Sequence, residues 1–158
     1  MPSPAPSRKH QEVVWRLARI LDRAVRETHQ GVAYFAPFDV RLSEDTVYQP
    51  DLFVVLREHA DRLRETHLEG APDLVIEVLS PLTAQLDLWV KRHDYERAGV
   101  QEYWVVDPDT RTVEQYVREG DRLVCVTRVE GEGVLSSRLL PDLAVEVGQL
   151  FAESDAQG

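Results

Sequence analysis

The stretch Asp73-Leu74-Val75-Ile76-Glu77-Val78-Leu79-Ser80-Pro81 decides how the rest of the chain is read. Its apolar, β-branched run is closed by Ser80-Pro81, which predicts a strand over residues 73–79 buried on both faces. Glu77 is out of place there. An unpaired carboxylate in such a strand costs several kcal/mol or is forced to take up a proton. It must therefore be compensated, and a metal ion is one of the few adequate means. Asp51, in Gln49-Pro50-Asp51-Leu52-Phe53-Val54-Val55, and Lys91 interrupt apolar segments in the same way. Whether the three converge on one ion becomes the question.

The 158 residues suit one domain, expected over residues 8–152 between a flexible leader (1–7) and tail (153–158). No apolar stretch approaches the roughly 20 residues needed to cross a bilayer, so no membrane association is expected. Residues 1–7 lack the apolar core of a secretory signal. Cys125 has no second cysteine to pair with, which predicts a reducing, cytoplasmic setting. The net charge of −10 argues against a non-specific nucleic-acid binder. The charge is uneven, however. Residues 1–30 carry six Lys/Arg against three Asp/Glu, leaving 12 and 25 for the remainder. A nucleic-acid surface would have to be local, or made by pairing two copies.

Around the central strand, residues 10–28 have helical apolar spacing, with Ser7 as N-cap. Arg16, Arg19, Arg23 and Arg26 form a stripe along this helix, either a solvated face or an edge that meets phosphates. Strands are expected over 32–35, 38–42 and 47–56. Residues 57–68 read as a short surface helix or loop anchored by Leu63 and Leu68. Thr83 can cap a helix over 84–98 that stops at Gly99, and on it Asp87, Lys91 and Tyr95 share one face. Residues 102–107 and 112–118 flank the turn Pro108-Asp109-Thr110-Arg111, and 123–129 adds a third strand. Residues 136–151 suggest an edge and a final short helix. The order predicts an α/β fold, a central mixed β-sheet flanked by helices.

A resemblance sharpens this. Pro50-Asp51, the segment Pro72 to Pro81, Lys91 with Tyr95, and Ala98-Gly99-Val100-Gln101-Glu102-Tyr103-Trp104-Val105-Val106-Asp107-Pro108 together resemble the PD-(D/E)XK nuclease superfamily. More narrowly, they look like the Uma-two family of restriction-endonuclease-like proteins, over residues 10–151. The resemblance implies a restriction endonuclease-like core and hydrolysis of nucleic-acid phosphodiesters, DNA foremost. It implies Asp51 and Glu77 as carboxylates for Mg²⁺ or Mn²⁺, with Lys91 as the catalytic amine. The superfamily pattern has its Lys two residues after Glu77, where this chain has Leu79, so Lys91 from the following helix would replace it. Glu12 loosely matches a third acid of related nucleases. Nucleases of this fold commonly pair, which implies a homodimer or higher homo-oligomer, with an edge strand in 112–129 as one candidate for the contact.

Each residue also has a plainer reading. Asp51 can be a turn former after Pro50, Glu77 a buried acid paired with an arginine, and Lys91 an i,i+4 partner of Asp87 worth about 0.2–0.5 kcal/mol. His10 reads as a helix-start residue, and Tyr103 and Trp104 as core. There is no Gly-rich phosphate loop, nucleophile elbow or Cys/His zinc pattern. Besides an endonuclease, the chain can be a catalytically silent accessory or protein-binding module on a nuclease fold, or a hydrolase of a smaller phosphoester.

Overall fold

The structure, a computed structural model, describes residues 7–81 and 85–153. Residues 1–6 and 154–158 of the expected leader and tail, and the Thr83 cap, lie outside them. Among the described residues the chain opens with α1 (Arg8–Leu21), a π-helical turn (Asp22–Arg26), β1 (Gly31–Phe35), β2 (Asp39–Ser43) and β3 (Thr46–Tyr48). Then come β4 (Leu52–Leu56), a 3-10 turn (Arg57–Arg62), β5 (His67–Glu69), β6 (Leu74–Val78) and α2 (Gln85–Ala98). The last part holds β7 (Glu102–Asp107), β8 (Thr112–Glu119), β9 (Arg122–Glu130), β10 (Val134–Ser136), β11 (Ala144–Glu146) and α3 (Val147–Leu150).

The strand over Glu77 is the middle of the molecule. β6 lies inside a six-stranded sheet of order β1-β4-β6-β7-β8-β9, antiparallel to β4 and parallel to β7. The mixed sheet flanked by helices is the architecture the sequence predicts. Because side chains alternate along a strand, each face has its own core. Leu52, Val54, Leu74, Ile76, Val78, Trp104 and Val106 pack under Val13, Leu17 and Leu21 of α1. On the opposite face Val75, Tyr103 and Val105 meet Tyr95 of α2. There too, Phe53 and Val55 pack on Val40 and Leu68 of a small sheet of order β3-β2-β5. Glu77 belongs to this second face.

Ser7 caps α1 as expected, its hydroxyl accepting from His10 N at 3.1 Å. The single α-helix expected over 10–28 is corrected: it widens to a π turn after Leu21. Ala24 and Val25 still follow Leu21 into the core at i+3 and i+4. The strand expected over 47–56 is also corrected. It is two strands in two different sheets, β3 and β4, separated by Gln49-Pro50-Asp51. Pro50 has no N–H for a ladder, so the chain changes sheets there. Residues 57–68 resolve into the 3-10 turn and β5, with Leu68 fully buried.

One buried acid holds the C-terminal segment to the sheet. Glu102, at the start of β7, has no exposed surface. Its Oε1 accepts from Ser137 Oγ (3.1 Å), Arg138 N (2.9 Å) and Leu139 N (3.0 Å). Its Oε2 accepts from Trp104 Nε1 (2.5 Å) and Gln115 Nε2 (3.2 Å). Five donors take the place of the water it has lost. Among the described residues no helix is long and apolar enough to cross a membrane.

Candidate active site

Strand pairing brings the two suspected acids together. β4 and β6 pair antiparallel with Leu52 opposite Ile76, Phe53 opposite Val75 and Val54 opposite Leu74. Continued by one residue, this register sets Asp51 opposite Glu77, on the face that carries Phe53 and Val75. Asp51 is anchored by backbone on both sides: its Oδ2 accepts from Val78 N at 2.8 Å. Its own carbonyl accepts from Ala36 N at 3.0 Å. The break after Pro50, which ended the expected long strand, is what leaves this carboxylate at the end of the sheet.

Three buried acids of this sheet region differ in one respect. Glu102 has the five donors described above. Asp73, 2% exposed, accepts from Leu56 N at 2.8 Å and pairs with His59 Nδ1 at 2.8 Å. Glu77, 6% exposed, accepts from the Tyr95 hydroxyl at 2.9 Å and faces a second carboxylate. Burial is the main reason its pKa is pushed up to about 7. The positive charge of Lys91 opposes that rise, and the negative charge of Asp51 adds to it. Among the described residues Glu77 forms no ion pair with an arginine, and of the three acids it has the fewest hydrogen-bond donors.

Lys91 comes from α2, with its Nζ 5.6 Å from the centroid of the Tyr48 ring. Its charge is the second-largest influence on Glu77, after burial. Leu79 is half-buried among Tyr95, Tyr103 and their neighbours, so the place two residues after Glu77 is apolar packing. Tyr95, the third member of the helical row, is fully buried and donates to Glu77. Asp87 is exposed one turn further out, and its charge reaches the Tyr48 hydroxyl. That hydroxyl donates to Asp94 Oδ2, and its pKa is pushed up to about 12, first by burial and then by this hydrogen bond.

His10 is the residue the sequence reading undervalued. Its Nε2 stands 3.2 Å from Asp51 Oδ1, and its Nδ1 is buried without a partner among the described residues. The hydrogen bond to Asp51 raises its pKa against the opposing effect of burial. The signal was the helix cap: Ser7 starts α1 at a point that turns its first residues toward the sheet end. Glu12, by contrast, turns to Arg16 at 3.9 Å. Arg16 itself donates to the carbonyl oxygens of Leu150 (2.9 Å) and Ala152 (2.7 Å). The arginine stripe therefore loses one member to a structural task. Arg19, Arg23 and Arg26 are exposed, and Arg26 lies over the Tyr34 ring at 5.6 Å.

Among the described residues no group of three His, Cys, Asp or Glu side chains is arranged to hold a metal by itself. Two hard oxygen donors facing each other across adjacent strands are nonetheless the set that Mg²⁺ or Mn²⁺ uses. Such ions take one or two carboxylates and fill the remaining positions with water and substrate phosphate. The fit rests on Glu77, whose carboxylate form a cation beside the pair would favour, as the Lys91 charge already does.

The raised pKa has a measurable consequence. Between its ordinary value of 4.5 and about 7, folded Glu77 keeps a proton that the unfolded chain has released. Stability from this group is therefore present at low pH and lost as pH rises through 7. Urea denaturation in EDTA should show the wild-type protein losing about 2–3 kcal/mol relative to Glu77→Gln between pH 5 and pH 8. A gap that does not change with pH would contradict the assignment.

Comparison with known proteins bears on this geometry. Residues 1–148 match the model of the Uma2 family, described as "Putative restriction endonuclease". The chain belongs to the Uma2 family. Among solved structures it is similar to the "putative nuclease belonging to DUF820" from Anabaena variabilis ATCC 29413, with a TM-score of 0.77 at 21% identity. The alignment covers 96% of this chain and 84% of that one, which shows a shared fold. No curated protein matches the chain. Membership of Uma2 agrees with the family resemblance read from residues 10–151, and it supports a nuclease function.

Proposed function

We propose that this Uma2 chain is a metal-dependent endonuclease that hydrolyses phosphodiester bonds of nucleic acid, with DNA as the first candidate, in a cytoplasmic setting. The observation that carries the reading is the Asp51–Glu77 pair, two carboxylates in register on adjacent strands, one with its pKa raised to about 7. Asp51 and Glu77 would hold Mg²⁺ or Mn²⁺. A divalent cation so held offsets phosphate charge and lowers the pKa of a bound water. The protein's own part is positional. Val78 N and His10 fix Asp51, the Tyr95 hydroxyl fixes Glu77, and Lys91 supplies a positive charge that orients water or meets charge developing on the phosphate.

The test is a cleavage assay on duplex DNA, single-stranded DNA and RNA, with Mg²⁺, with Mn²⁺ and with EDTA. Cleavage that survives EDTA would rule out the metal-dependent reading. A smaller phosphoester cut in place of all three nucleic acids would move the activity to the same residues with another substrate.

A second reading, a catalytically silent protein-binding module, is favoured by one observation. Leu86, Trp89 and Val90 leave 70%, 56% and 39% of their surfaces exposed on α2, in a chain of net charge −10. Thermal melting separates the two. A metal site predicts a rise in Tm with millimolar Mn²⁺, about 2–4 °C for each kcal/mol of linkage. The rise should be absent in Asp51→Ala. Equal melting curves with and without Mn²⁺ would favour the silent module.

A further inference from the structure

One exposed feature is left unused by the proposed chemistry. Trp15 on α1 and Phe35 at the end of β1 leave 62% and 58% of their surfaces in solvent. Both line a groove of about 200 Å³ between α1 and β1, with Arg19 and Arg26 beside them and Asp22 as its one acid. Arg26 also borders a second depression of about 470 Å³, which includes Arg57. The two meet at Arg26. They lie on the two faces of β1, Ala33 on the α1 side and Val32 and Val55 on the other, and adjoin across its outer edge, which among the described residues pairs with no further strand. This track carries two exposed aromatic rings and three guanidiniums in a protein of net charge −10.

The track reaches the same end of the sheet as the candidate active site, but from the α1 face. Phe35 pairs with Leu52, the residue after Asp51, and Leu52 is itself part of the groove wall. Ala36 N donates to the Asp51 carbonyl at 3.0 Å. A polymer lying in the groove would therefore approach that end of the sheet from the α1 face, the side from which His10 reaches Asp51 Oδ1 at 3.2 Å.

We propose that this track seats unpaired nucleotides of the substrate strand, with bases stacked on Trp15 and Phe35 and phosphates met by Arg19, Arg26 and Arg57. The proposal rests on the nucleic-acid reading above and names the form of nucleic acid that the site receives. Aromatic rings alternating with cations suit a single strand, because every base offers a face for stacking and the backbone stays within reach of the guanidiniums. In a duplex those base faces are already stacked on their neighbours. Positive charge beside exposed rings fits a polyanion that also offers bases to stack.

The experiment measures binding apart from cleavage. Fluorescence anisotropy in EDTA compares a labelled single-stranded oligonucleotide with the duplex of the same sequence. The proteins are the wild type, Trp15→Ala, Phe35→Ala and the double variant Arg19→Ala/Arg26→Ala. Thermal melts check that each is folded, and the exposure of the two rings makes that the expected result. Wild-type protein should bind the single strand more tightly than the duplex. Each aromatic substitution should weaken single-strand binding about tenfold and leave duplex binding within about twofold. The double arginine variant should flatten the slope of log K against log salt by about 1.4, two phosphate contacts' worth for a single strand.

Unchanged single-strand affinity in folded Trp15→Ala and Phe35→Ala overturns the proposal, as does a preference for duplex. So does sedimentation showing that this face is covered by a second copy released by Trp15→Ala. Metal-dependent cleavage without these binding effects would keep the nuclease reading and remove the track. The binding effects without any cleavage by the wild type would do the reverse.

Discussion

Glu77→Gln is expected to abolish metal-dependent cleavage, lowering kcat by at least about 10³-fold, while the protein melts at a higher temperature than the wild type in EDTA at pH 8. The two halves of this result have one cause. The carboxylate is buried against Asp51 with a pKa of about 7, so at pH 8 the folded apoprotein carries a charge that its surroundings resist. Glutamine has nearly the same shape and no charge, so the cost disappears. The same change removes an oxygen anion from the proposed metal pair, and losing several kcal/mol of Lewis-acid stabilisation corresponds to about 10³-fold or more. A residue kept for stability alone would show the opposite pattern. Asp51→Asn should lose activity as fully, because Val78 N and His10 hold its oxygens at the place where a cation would favour the Glu77 carboxylate. Steady-state cleavage and urea denaturation on the same three preparations decide the matter. Activity retained in both variants would displace the site.

The second large effect concerns Glu102, and its sign is reversed. Glu102→Ala should cost about 3–5 kcal/mol, a large share of the roughly 5–15 kcal/mol that holds a domain folded. Removing the side chain strands Trp104 Nε1, the Ser137 hydroxyl and the backbone N–H of Arg138, and leaves Leu139 N with the Ser137 oxygen alone. Each donor left without an acceptor costs about 1–3 kcal/mol, reduced where water can enter. A fall of about 10 °C in Tm is expected at this chain length. Glu102→Gln should lie between, since one amide oxygen can keep part of the set. A Tm within about 2 °C of wild type in Glu102→Ala would show that water replaces the carboxylate without loss. Two buried glutamates of one sheet would thus respond to mutation in opposite directions, and the number of donors around each explains why.

What was legible in the chain follows from how local each signal is. Glu77 could be found because a single charge among β-branched residues contradicts its neighbours, and the hairpin round Pro108 and the Ser7 cap rest on a few adjacent residues. The expectation of α/β layers followed from these. The misjudged features depend on distant partners. The π turn at Asp22–Arg26 keeps Ala24 and Val25 in the core and leaves no mark on the apolar spacing. In 47–56 Pro50 marks a break in the ladder, but that the two halves join different sheets depends on their pairing with β2 and β6. His10 reaches Asp51 from 41 positions away, as the entry direction of α1 dictates. Glu102 looked like one residue in a strand, because its five donors come from β7, β8 and the segment after β10. Glu12 matched by position along the helix, yet turned to Arg16.

The antiparallel pairing of β4 with β6 has an implication for how such a site survives change. Leu52, Phe53 and Val54 oppose Ile76, Val75 and Leu74, so the meeting of Asp51 with Glu77 is indexed by strand register and not by the length of chain between them. Residues may be added or lost in the connection that holds the 3-10 turn and β5 without moving either acid, provided the small sheet still closes over Phe53. One residue inserted between Leu52 and Val54 would turn Asp51 to the other face of the sheet and separate the pair. Drift in length is thus tolerated in the connection and excluded within a few residues of two short strands.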